Sequence, residues 1–133
     1  SGSWTTVPHS GGTVSISSEN PYQGPYHLRL ADYAEVQRDA NLSDFSTATL
    51  SFYWTATKLK SDEAFYAEIS ANGGSSWTRI FTANSSNYQP SYALFTYSLN
   101  STYRVTGFKI RFIGISKNDS SDYFDVDNIT IVP

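Results

Sequence analysis

The sequence contains no cysteine, no methionine and only two histidines, His9 and His27. Without cysteine there is no disulfide scaffold, no thiol nucleophile and no cysteine-ligated zinc. A Ser-His-Asp triad would have to use His9 or His27, and neither sits in a nucleophile elbow or another catalytic context. HExxH, a glycine-rich phosphate loop and a dinucleotide fingerprint are all missing. Charge is sparse as well. Nine Lys and Arg against twelve Asp and Glu leave a net charge of -3, and the basic residues are scattered. That scatter argues against nucleic acid as a partner and against a polybasic membrane patch. No apolar run approaches the length of a membrane span and no signal peptide is visible, so membrane insertion is not expected.

What remains is a polar, aromatic-rich chain of 133 residues. That length makes one domain, able to bury roughly two-thirds of the surface its unfolded form exposes. Residues 1–12 read as an irregular N-terminal segment with room for a short strand at Trp4 and Val7, and 13–133 as a single module. The Ser-Gly-Ser start without methionine predicts a segment of a longer chain, covalently linked to neighbouring domains. Abundant Ser, Thr, Asn and Tyr, with only 16% charged residues, point to an extracellular or cell-surface location. Asn-x-Ser/Thr triplets begin at Asn41, Asn84, Asn100, Asn118 and Asn128, but a composition this rich in Ser, Thr and Asn produces such triplets by chance.

The local signal that organises the rest is residues 66–81, YAEISANGGSSWTRIF. Ala67 and Ile69 alternate with Tyr66, Glu68 and Ser70; after an Asn-Gly-Gly turn, Thr78 and Ile80 alternate with Trp77, Arg79 and Phe81. Asn72 and its two glycines are expected to supply the positive φ values of a tight hairpin. Similar period-two stretches occur at 13–17, 26–30, 34–38, 49–57, 93–99, 106–115 and 122–132. In the 49–57 stretch Leu50, Phe52 and Trp54 share one face, so Trp54 reads as core. No window carries a capped helical stripe. Many short strands separated by turn signals predict an all-β, antiparallel two-sheet sandwich or barrel.

Five motifs then fall in a familiar order: GPYHLRL at 24–30, ATLSFYW at 48–54, EISANGGSSWTRI at 68–80, GFKIRF at 107–112 and YFDVDNITI at 123–131. Together they resemble the β-jelly-roll domains of the MAM-like and carbohydrate-binding-module type, over about residues 13–132. The resemblance implies a two-sheet jelly roll that acts as an accessory module of a secreted protein, without catalysis of its own. It also implies a structural calcium where the loop before the first motif meets the last strand. Carried onto this chain, Asp127 matches the family's aspartate, with Glu19 and Asn20 as neighbours in the 19–25 loop. Alternation places Asp125, Asp127 and Ile129 on one side of the last strand. The aromatic-Glu pair that often opens such domains, and whose carboxylate helps hold the ion, has no counterpart ahead of Trp4.

Ten tyrosines and three tryptophans exceed what a sandwich core requires. Sugar rings stack their C–H faces on such side chains while polar neighbours take the hydroxyls. By alternation Tyr53, Tyr66, Glu68, Arg79 and Arg111 point outward, and they form one polar-aromatic patch provided that their strands share a sheet. Trp77, Tyr88 and Tyr92 are expected to rim it from loops. The reading is a carbohydrate-binding module for a polysaccharide or glycan. Its rivals are a protein-interaction or stabilising domain, and a glycosidase pairing Glu68 with Glu35 or Asp125.

Overall fold

The computed structural model describes residues 4–7, 13–17, 27–31, 33–56, 59–115 and 123–133. Within them run ten strands and no helix: β1 Thr5–Val7, β2 Thr13–Ser17, β3 His27–Ala31, β4 Glu35–Ala40, β5 Ala48–Ala56, β6 Ala64–Ser70, β7 Thr78–Asn84, β8 Ala93–Leu99, β9 Phe108–Gly114 and β10 Tyr123–Val132. They form two five-stranded antiparallel sheets. The front sheet is ordered β1-β4-β9-β6-β7 and the back sheet β2-β3-β10-β5-β8. Only β2–β3 and β6–β7 are chain neighbours paired in one sheet; every other connection crosses between sheets, the jelly-roll pattern of a β-sandwich.

Alternation explains the layering. In β5 every second residue from Ala48 to Ala56 is buried, and in β9 Phe108, Ile110 and Phe112 are buried between half-exposed neighbours. The two inner faces meet on aromatic rings. Phe52 lies 5.5 Å from Phe81, 5.0 Å from Phe95 and 5.1 Å from Phe112, and Phe65 stacks on Phe124 at 5.3 Å. Trp54 is core, 5% exposed. Each such ring stabilises the fold by about 1.5–3 kcal/mol on burial.

Three sequence expectations are corrected by backbone detail. In the 66–81 hairpin, Glu68 pairs with Arg79 but Ala67 pairs with Phe81, so Ile80 is an extra residue in β7. This bulge leaves Arg79 outside and turns Phe81 into the core, against the shared phase read from the sequence. In β10, Asp127 pairs with Tyr53 and Thr130 with Ser51, with Asn128 at φ 50°. The irregularity turns Ile129 onto the core and off the side of Asp125 and Asp127. The reversal is also wider than the Asn-Gly-Gly turn read from the sequence, with β6 ending at Ser70 and β7 starting at Thr78. Gly73 (φ 72°) and Gly74 (φ 95°) take the left-handed conformations, whereas Asn72 does not. Asn72 works through its side chain instead: its Oδ1 accepts from Ser70 Oγ at 2.8 Å and from the Ser76 amide at 3.0 Å. A backbone bond from the Gly73 amide to the Gly107 carbonyl, 2.9 Å, ties the turn to the approach to β9.

Candidate binding face

On the outer face of the front sheet, register lines up Gln37, Arg111, Glu68 and Arg79 across β4, β9, β6 and β7. Facing side chains in such a row come within contact of each other. Arg111 donates from Nε (2.8 Å) to Glu68 Oε1, which its Nη2 also approaches at 2.6 Å, and from Nη1 to Glu35 Oε2 at 3.1 Å. Gln37 Nε2 donates to the same Glu35 oxygen at 2.7 Å. Arg79 Nε donates to the other oxygen of Glu68 at 3.0 Å. The carboxylates are nearly closed off, with side chains 5% exposed at Glu35 and 8% at Glu68. Buried carboxylates at a sheet surface require this pairing, because an unpaired charge there would be strongly destabilising.

Two aromatic rings complete the face. The Arg79 guanidinium lies over Tyr66 with its carbon 3.4 Å from the ring centroid, and that of Arg111 lies 4.3 Å from the Trp77 centroid. Trp77 is set down by the turn that precedes β7. Gly74 backs it so closely that a Cβ there would meet the indole at 3.4 Å. Both rings remain half-exposed. Of the sequence-predicted residues, the structure therefore brings together Tyr66, Glu68, Trp77, Arg79 and Arg111.

The other predicted residues lie elsewhere. Tyr53 points outward, but from the back sheet, because the chain crosses between sheets after β5 instead of returning as a hairpin. Tyr88 does not rim the patch: it is half-buried and packed against the core. Tyr92 belongs with the back sheet, near Asp125 and Asp127. Burial of its hydroxyl, reinforced by those two carboxylates and opposed by Arg29, holds the phenol's pKa well above its ordinary value. The back face has its own ion pair, Arg29 to Asp125 at 2.8 and 2.9 Å, with Arg29 lying 4.1 Å over the Tyr123 ring. Asp127 Oδ1 accepts from the Asn128 amide at 2.7 Å. Glu19 and Asn20 lie outside the described residues. Among the described residues no cluster of three metal-ligating acids or histidines forms.

Sequence reasoning missed Gln37 altogether and gave Glu35 only a catalytic role. The signal was present: in EVQRDA at 35–40, period two places Glu35, Gln37 and Asp39 on one face. The hydrolytic pairing fails on geometry. Glu35 and Glu68 share one guanidinium instead of facing each other across a cleft, and Asp125 is in the other sheet. A cavity of about 170 Å³ opens between the sheets near Trp4, Arg38, Leu50, Ile110 and Ile131. It is well below the roughly 300 Å³ at which ligand sites begin. None of Glu35, Gln37, Glu68, Arg79 and Arg111 of the front face lines this cavity.

No protein-family model and no curated protein sequence matches this chain. Solved structures do. The CBM22-1 xylan-binding domain of Paenibacillus barcinonensis Xyn10C superposes with a TM-score of 0.62 at 12% identity, over 96% of this chain and 83% of that one. TmCBM61, solved in complex with β-1,4-galactotriose, gives 0.63 at 12% identity over 97% and 87%. The K2 cleaved adhesin domain of Lys-gingipain gives 0.66 at 13% identity over 98% and 90%. The chain thus has the β-sandwich fold of carbohydrate-binding modules, a fold that an adhesin domain shares.

Proposed function

We propose that this domain is a non-catalytic carbohydrate-binding module of an extracellular multidomain protein, and that it takes an oligo- or polysaccharide on the outer face of the front sheet. The observation that carries this reading is the single network that joins Glu35, Gln37, Glu68, Arg79 and Arg111 beside two half-exposed rings. A sugar stacks on the Trp77 face turned away from Arg111, while the arginines and Gln37 donate to its hydroxyls and ring oxygens. Because the polar groups are already held by one another, little side-chain freedom is lost on binding. Likeness in fold to xylan- and galactotriose-binding modules supports the substrate class. Linked to a partner domain, such a face raises that partner's effective concentration near the polysaccharide.

The test is a glycan array on the isolated domain, run with calcium and with chelator, and repeated with Trp77→Ala. Selective hits that disappear in Trp77→Ala with the fold intact are expected. Loss on chelation alone would move the site to the Asp127 end of β10, where the proposed structural calcium belongs. The likeness to the adhesin domain favours a second reading, a protein-interaction module. A blank array on folded protein would select it.

A further inference from the structure

The two arginines of the front face are not equivalent. Arg111 has Nε and both terminal nitrogens engaged by Glu68 and Glu35, and its side chain is 21% exposed. Arg79 is held at two points only: Nε on Glu68, and the guanidinium plane on the Tyr66 ring. Its side chain is 52% exposed, and among the described residues no other hydrogen bond reaches it. A guanidinium carries five N–H donors in a fixed planar fork, and the four on the terminal nitrogens of Arg79 meet no acceptor among the described residues. The charges reinforce this asymmetry. Glu68 gives one oxygen wholly to Arg111, Glu35 is shared by Arg111 and Gln37, and Lys109 faces Asp39 at 3.5 Å. Among the described residues of this face, the positive end left pointing at solvent is that of Arg79.

We infer that the front face selects an anionic glycan, with an oxyanion carried on the sugar seated bidentately on the terminal nitrogens of Arg79. This rests on the carbohydrate-binding reading and names the chemistry its ligand must carry. The fork matches two parallel oxygens, and charge-assisted bonds are roughly twice as strong as those to neutral hydroxyls. Tyr66 below and Glu68 behind keep the fork in place before the ligand arrives, so Arg79 is a pre-set receptor despite its exposure. The oxyanion is either a uronate carboxylate or a sulfate ester, and the two are separable by experiment.

Affinities are measured by calorimetry for glucuronoxylan and its carboxyl-reduced form, and for a sulfated galactan and its desulfated form. The charged member of one pair is expected to bind roughly ten-fold tighter or better, and the pair that shows it identifies the oxyanion. The preference should shrink at high salt. Arg79→Gln should erase the preference, so that the charged and neutral members of the pair bind with the same affinity. Arg79→Lys, which keeps the charge but not the fork, should recover only a minor part of it. Equal or tighter binding of the neutral members would overturn the inference and leave the carbohydrate-binding reading standing. A preference that survives Arg79→Gln would also overturn it. Failure of all four to bind would remove both readings together.

Discussion

At the scale of single residues, burial acts differently on the two faces. The front-face carboxylates are held by the cations around them, whereas the Tyr92 hydroxyl is buried beside two carboxylates. Tyr92 shows the consequence for stability. Its folded-state pKa lies above its ordinary value of 10.0, first because burial disfavours the phenolate and then because Asp125 and Asp127 repel it. In the unfolded chain the phenol loses its proton near that ordinary value, so above it the unfolded state holds fewer protons than the folded one. The contribution is therefore complete below about pH 10 and is lost as pH rises towards the folded value. Urea midpoints measured from about pH 9 to about pH 11 should fall more steeply for the wild type than for Tyr92→Phe. Parallel slopes would show that Tyr92 titrates as if exposed. Nothing in the Asn-x-Gln-Pro-Ser-Tyr context of the sequence announces this shift, because the two carboxylates that reinforce it lie more than thirty positions away on β10.

At the scale of elements, strand positions were legible because one buried face imposes period two, and β2 and β8 fall where alternation placed them. The phase after a bulge was not. Ile80 and Asn128 each sit where alternation breaks, and neither residue type marks a bulge by itself. Three of the Asn-x-Ser/Thr triplets have a structural role in turns. Asn41 and Asn84 accept from the amide and hydroxyl of the serine two positions on, and Asn100 accepts from the Thr102 amide. These are side-chain-capped turns joining strands. The hairpin signal was sound in place and in its two glycines but not in Asn72, and the glycines yield a test. At Gly73 a Cβ meets no atom within 4 Å, so Gly73→Ala suffers only the left-handed φ of 72°, worth about 1–2 kcal/mol. Gly73→Asn should lose less than Gly73→Ala, since asparagine visits that region more readily. Chemical denaturation of the two variants checks the order. Equal midpoints would mean that the turn relaxes into another conformation.

At the scale of the whole molecule, what the sequence could not disclose was sheet membership. Tyr53 and Tyr66 have the same outward phase and similar surroundings in the chain, yet the crossing after β5 puts them on opposite outer faces. The inner faces of packed sheets are about 10 Å apart, so the full sandwich core separates the two tyrosines. Sites that far apart with no shared partner act independently. Removing Tyr66 takes away the plate on which Arg79 lies, a contact worth about 1–2 kcal/mol when partly desolvated, and glycan affinity should fall roughly five- to thirty-fold. Tyr53→Ala should leave affinity within about two-fold of the wild type, and the double variant should match Tyr66→Ala alone. Titration of the same glycan into the three variants, each verified as folded, decides it. A loss confined to Tyr53→Ala would transfer the binding face to the back sheet, around Arg29, Asp125 and Tyr123. Equal losses in both single variants would mean that substitution on one face reaches the other through the shared aromatic core of Phe52, Phe81 and Phe112, which the packing of these rings between the sheets argues against.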